Sequence, residues 1–240
     1  MTLVRERAER ISTLADKTNK PGKFRPLPLA FTRWLFSVHR HLYGGSDENY
    51  EKNRSLEAPD MGYIYGQAVC PQFTLGRKKM AGVGCEIAAT YNALRLLGKE
   101  VSFADILHDY EKAGYVMRGF VQGDMGTDPF SIGDFLEAHG THAVRYTNYE
   151  ALASVMAEFK NSFQVYILSF WNRNTVFGGL HTVAAYTSPG DGKLHVFNMY
   201  GDSTGERTRE GLRDYVPKNR FVVGYRLLPS QPSSPELPSA

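Results

Sequence analysis

One cysteine, one histidine and one asparagine in this chain have surroundings suited to nucleophilic chemistry. Cys85 lies in the run Ala81-Gly82-Val83-Gly84-Cys85-Glu86-Ile87-Ala88-Ala89-Thr90-Tyr91-Asn92-Ala93-Leu94. Apolar residues at Ile87, Ala88, Tyr91, Leu94 and Leu97 recur every three or four positions and Gly98 follows, which predicts a helix starting at or beside Cys85. A helix N-terminus has unpaired N–H groups and the positive end of the dipole, so it favours the thiolate, the nucleophilic form of cysteine. Gly82 and Gly84 carry no side chain and would let a substrate backbone come close. The plainer reading is a small buried cysteine at a tight helix entry.

A cysteine nucleophile needs a base that is distant in sequence and near in space. Among seven histidines, His181 has the best setting, with Gly178-Gly179-Leu180 before it and the apolar strand pattern Thr182-Val183-Ala184-Ala185-Tyr186 after it. His195 falls in the next strand and is expected on an exposed face. His108 lies inside a predicted helix, and His139 and His142 flank Gly140. An orienter for the imidazole is expected at Asn198, because a hairpin turn at Ser188-Pro189-Gly190-Asp191-Gly192 returns the chain to the start of the His181 strand. Its side-chain oxygen could accept the imidazole N–H, with Asp202 the alternative. Asn198 could equally cap the turn that follows it.

The elements that must position these residues read as helices followed by strands. Residues 3–16 and 31–43 have helical stripes, separated by a Lys/Pro/Gly linker, and residues 44–59 read as a polar loop. A strand is expected over 61–69, then the Cys85 helix. Ser102 with Asp105 forms a capping-box-like start for a helix ending at Gly114. Residues 119–129 read as a glycine-rich loop, 131–139 as a helix, and Asn148 as the cap of another. Strand patterns follow at 164–171, 182–187, 193–198 and 220–228. This order predicts the α+β class, with helices first and an antiparallel sheet after. The expected divisions are a basic helical extension at 1–60, a main domain at 61–228 and a Pro/Ser-rich disordered tail at 229–240.

With 240 residues, 42% hydrophobic and 22% charged, the chain can bury a full core and is neither fibrous nor disordered. A net charge of +3 gives no reason to expect nucleic acid, and the basic excess is local: residues 1–43 hold nine Lys/Arg against three Asp/Glu. Those amphipathic helices could dock a partner or a membrane surface, although such stripes more often cover their own domain. Two cysteines make no disulfide framework and no zinc motif, and a Cys70–Cys85 bridge would silence Cys85. Neither an apolar span nor a secretory signal is evident, so a reducing cytoplasmic home is the default and signal-independent export the alternative.

Three motifs, Ala81–Leu94, Gly179–Tyr186 and Leu194–Asp202, in the order Cys, His, Asn/Asp, resemble the papain-like cysteine peptidase superfamily, with the peptidase C39-like branch the nearest. The likeness spans roughly residues 60–228. It implies a papain-like fold with the nucleophile helix packed on an antiparallel sheet, Cys85 as nucleophile, His181 as base and acid, and Asn198 as orienter. It also implies an upstream glutamine that donates to the oxyanion together with the Cys85 N–H, with Gln72 first and Gln67 second. Glu86 departs from the pattern, since C39-like relatives commonly carry Gly-Pro after the cysteine.

The expected activity is hydrolysis of a peptide or amide bond through a thioester, without metal or organic cofactor, on a peptide or protein substrate. Acyl transfer to an amine on the same machinery is the alternative. A non-catalytic binding protein that keeps the fold, and a toxin-like effector that cleaves a foreign protein, are rivals.

Overall fold

The computed structural model describes residues 28–58, 61–173, 175–198 and 205–228. The expected helix at 3–16, the linker up to residue 27, Asp202 and the tail at 229–240 lie outside these residues. Among the described residues no helix is long and apolar enough to cross a membrane.

Helix α1 (Leu29–Val38) begins directly after Pro28, buries Thr32 and Phe36, and leaves Phe31, Trp34 and Val38 exposed. Helix α2 (Ser46–Leu56) occupies the stretch expected as a polar loop. It carries almost no apolar residue, so hydrophobic periodicity is silent there. Buried amides hold it instead: Asn49 and Asn53 both donate to the Thr74 carbonyl, at 3.2 and 2.8 Å, and Asn49 also donates to Glu111 at 2.5 Å. Asp47 and Glu48 in the first turn and Arg54 in the last suit the helix dipole.

Residues 61–66 form no strand and run into a 3-10 turn, Gln67–Val69. The main-chain bonds that a neighbouring strand would make come from one side chain. Asn92 donates to the Ile64 carbonyl at 2.7 Å and accepts the Ile64 N–H at 2.8 Å. A small hairpin, β1 (Thr74–Leu75) and β2 (Lys78–Lys79), leads to the single turn α3 (Met80–Val83) and then to α4 (Cys85–Leu96). Helix α5 (Phe103–Lys112) starts as expected, with the Ser102 hydroxyl accepting the Asp105 N–H at 3.1 Å.

The glycine-rich stretch expected as a loop holds part of a second hairpin, β3 (Val116–Arg118) and β4 (Gln122–Thr127). There follow α6 (Ile132–Ala138), β5 (Ala143–Tyr146) and α7 (Tyr149–Glu158), whose cap Asn148 accepts from Glu150 and Ala151 at 2.9 and 3.2 Å. The remaining elements are β6 (Gln164–Arg173), β7 (Thr175–Thr187), β8 (Leu194–Val196), β9 (Arg207–Arg209), α8 (Leu212–Tyr215) and β10 (Phe221–Leu227).

Six strands form an antiparallel sheet in the order β5-β10-β6-β7-β8-β9. The class is therefore α+β, as expected. The strict alternation of a strand explains why the core divides in two. From β6, Val165, Ile167 and Trp171 join one cluster with Ile87, Leu94 and Phe135, while Tyr166, Leu168 and Phe170 join another with Leu152, Met156 and Leu212. Helix α4 lies with the first cluster and α7 with the second. Phe36 of α1 belongs to the first cluster, so the described part of the N-terminal segment shares the core of the chain that follows it.

Candidate active site

Cys85 is the first residue of α4, half-buried, and both cysteines are free thiols. Gly84 is needed here for packing, because a Cβ on it would run into the Met80 side chain. Gly82 has open space where a Cβ would stand and lines the cleft. The sulfur lies against the peptide joining His181 to Thr182, within reach of the Thr182 N–H, the Thr182 hydroxyl and the Glu86 N–H.

A cleft of about 730 Å³ brings Cys85, His181, Asn198 and Gln67 together, with walls from Phe36, Val83, Met117, Met125, Trp171 and Leu180. His181 is buried in β7, paired across the sheet with Phe170, whose ring meets it edge-on at 5.8 Å. Two residues earlier, Gly179 takes φ +78°, a left-handed conformation that glycine adopts without strain.

Asn198 lies beside His181, where the hairpin is expected to bring it, but it meets the ring through its main chain. His181 Nε2 lies 2.7 Å from the main-chain carbonyl of Asn198, not from its side chain. Asn198 has φ +58°, the left-handed region that asparagine tolerates better than other residues with a Cβ, and its carbonyl is the group that meets the ring. Its side chain is engaged elsewhere: Oδ1 accepts the Gln67 N–H at 2.8 Å, and Nδ2 donates to the carbonyls of Cys85 at 3.3 Å and Thr182 at 3.4 Å. One residue thus ties the upstream turn, the Cys85 helix and the His181 strand.

Gln72 is exposed in the turn after Cys70 and does not line the cleft. Gln67 does, with Nε2 donating to the Ala81 carbonyl at 2.9 Å. The physical reason is that the 3-10 turn folds Gln67 back against Asn198, whereas Pro71 and Gln72 form a surface turn. His195, expected on an exposed face, is buried against Tyr186 at a ring separation of 4.6 Å and bridges Glu206 and Asp191 at 2.9 and 3.1 Å.

Burial dominates the electrostatics. It pushes the Cys85 thiol up to about 11, and N–H groups from Thr182 and Glu86 offset it only in part. Burial also lowers His181 to about 4, against the pull of the Asn198 carbonyl. The expected low-pKa thiolate is therefore not the resting state; a neutral thiol and a neutral imidazole share the cleft at pH 7. Because a carbonyl only accepts, the imidazole proton sits on Nε2 and Nδ1 is left as the basic nitrogen.

The sequence marks Glu86 as a departure that suits a helix N-terminus or alters a substrate pocket, and in the structure it lines the cleft. It is buried beside Cys85, and burial and the nearby Asp128 raise its carboxyl to about 8. The signal available was the departure from Gly-Pro after the cysteine. Among the described residues no three His, Cys, Asp or Glu side chains gather as a metal site.

Comparison with known proteins adds no relative: no family model, no curated protein and no solved structure matches the chain.

Proposed function

We propose that this chain is a cysteine-dependent hydrolase of peptide or amide bonds on a papain-like fold, acting through a thioester at Cys85. The observation that carries the proposal is the tautomer lock at His181, whose Nε2 is held by the Asn198 carbonyl at 2.7 Å in the cleft that also holds Cys85. With Nε2 protonated, Nδ1 accepts the thiol proton as sulfur attacks the carbonyl carbon, and the imidazolium then protonates the leaving amine. Water repeats the sequence in reverse roles and releases the acid. The Cys85 N–H and the Gln67 amide, whose Nε2 has a second N–H beyond the one given to Ala81, stabilise the oxyanion. An amine in place of water makes the same site an acyltransferase.

This is general-base catalysis from a neutral pair, and it has a distinct signature. Alkylation of Cys85 by iodoacetamide should rise through about pH 4 as His181 loses its proton, run flat, and rise again toward the thiol value of about 11. His181→Ala should abolish the flat region and leave only the upper limb. A profile unchanged by His181→Ala would sink the catalytic reading. It would instead support a binding protein on this fold, the reading favoured by a thiol held so far from ionisation.

A further inference from the structure

The acid beside the nucleophile has no evident structural use. Glu86 is 1% exposed, lines the cleft, and neither carboxyl oxygen makes a well-formed hydrogen bond. The hydroxyls of Thr127 and Tyr110 stand near it, but Tyr110 already shares a hydrogen bond with Thr90 at 3.0 Å. The cation among its neighbours, Arg40, is paired with the buried Asp128 at 2.5 Å. A buried carboxyl in this state is disfavoured as an anion, and burial holds it largely protonated at neutral pH. The cleft walls around it, Phe36, Val83, Met117, Met125 and Trp171, are apolar. Asp124 also lines the cleft, but its carboxylate accepts the N–H groups of Gly119, Phe120 and Val121, so Glu86 is the lining acid without such partners, and apolar walls beside it fit an aliphatic stem ending in a cation. An anionic ligand would meet Glu86 and Asp124 together.

We propose that Glu86 is the recognition group for a substrate that carries a primary ammonium or guanidinium on an aliphatic stem beside the bond that Cys85 attacks. The proposal rests on Cys85 as the nucleophile of this cleft. Arrival of the cation converts Glu86 to a carboxylate, forms a charge-assisted pair out of water, and releases the carboxyl proton to solvent. It also explains why a residue with a long acidic side chain follows the cysteine: position 86 turns the first helical turn into part of the substrate pocket.

The test uses the charge preference of Cys85 in the full-length protein, followed by peptide mapping so that Cys70 does not contribute. Three methanethiosulfonates of similar size are compared, bearing an aminoethyl, a propyl or a sulfonatoethyl group. In each, the Cys85 thiolate attacks the sulfenyl sulfur, a disulfide forms and methanesulfinate leaves. Rates are divided by those of free cysteine with the same reagent. The expected result is a preference of about tenfold or more for the cationic over the neutral reagent, and a larger one over the anion, from a local ion pair. The net charge of +3 would favour the anion, so the preference cannot come from the molecule as a whole.

Glu86→Gln, which keeps the shape and can still donate a hydrogen bond, should remove the preference. Equal normalised rates in the native protein, or a preference that survives Glu86→Gln, would overturn the proposal. If Glu86→Gln fails to fold, the native protein still decides. Butylammonium should slow iodoacetamide alkylation of Cys85 while 1-butanol at the same concentration does not, and equal protection by both would sink the idea. His181→Ala is the separate check on catalysis, since it changes the rates of all three reagents together and leaves their ratio unaltered.

Discussion

His181 Nε2 donates to the main-chain carbonyl of Asn198, and that carbonyl belongs to a residue held at φ +58°. The orienter of the imidazole is thus a backbone conformation rather than an amide side chain. The side chain has a separate task, which is to clasp Gln67, Cys85 and Thr182 around the same point.

The two tasks can be separated by substitution. Asn198→Gly keeps the left-handed conformation and the carbonyl, whereas Asn198→Ala strains the backbone by about 1 kcal/mol. Both lose the side-chain bonds and leave the Gln67 N–H unpaired, costing about 1–3 kcal/mol of stability. Asn198→Gly is expected to retain most of the flat region in the Cys85 alkylation profile, and Asn198→Ala to lose it. Equal loss in both variants would return the orienting role to the side chain.

The two glutamines should behave oppositely. With any amide or ester substrate, Gln67→Ala is expected to lower kcat by about a hundredfold or more, the usual effect of removing one oxyanion donor. Cys85 alkylation, which forms no oxyanion, should change little. Gln72→Ala, on the surface, should leave both untouched; a fall in kcat there would reinstate Gln72.

Stability should depend on pH with two opposing slopes. Glu86 is raised from 4.5 to about 8 and Glu111 from 4.5 to about 7, so each carboxyl stays protonated in the folded chain after it has ionised in the unfolded one. Both contributions are present below pH 4.5 and are lost as pH rises, up to about 7 for Glu111 and about 8 for Glu86. His181 has the other sign: its folded value of about 4 lies below 6.5, so stability is lost as pH falls across that window. Between about pH 7 and 8 Glu86 is the main contributor, and Glu86→Gln is expected to flatten a decline of about 1 kcal/mol there. Urea midpoints at three pH values would show it, and an unchanged slope would contradict the raised carboxyl.

The buried side chain that stands in for a strand should be costly to remove. Asn92→Ala strips the Ile64 N–H and carbonyl of their partners, at about 1–3 kcal/mol each. Asn92→Asp, which can accept but not donate, should recover part of the loss at neutral pH. Thermal denaturation measures both.

The legible parts of the fold are those where burial follows a period. The inner strands β6, β7, β8 and β10, the Cys85 helix and the capped starts at Ser102 and Asn148 can all be read from the chain. Within the six-stranded sheet the strands that escape are its two edges, Ala143–Tyr146 and Arg207–Arg209, which are short, charged and mostly not buried. Charge on an edge protects it from pairing with another chain and removes the pattern that would reveal it. Helix α2 escapes for a related reason, because asparagines rather than apolar residues fix it. At the candidate site, the gathering of Cys85, His181 and Asn198 in one cleft is legible from residue type and local context. The carbonyl in place of the amide, and Gln67 in place of Gln72, depend on one positive φ and one tight turn, neither of which leaves a periodic trace.

The sheet order carries a consequence for synthesis. Strand β10, the last element described, pairs on one side with β5 and on the other with β6. It is an interior strand made after both of its neighbours, so a chain that stops before residue 221 leaves two open edges in the middle of the sheet. Cys85 leaves the ribosome well ahead of Asn198, 113 positions later, and ahead of β10, which pairs with the strand next to that of His181. Cys85 and His181 therefore share a cleft only after the chain has been made through the His181 and Asn198 strands, and chains truncated before residue 181 are expected to carry Cys85 without that neighbour.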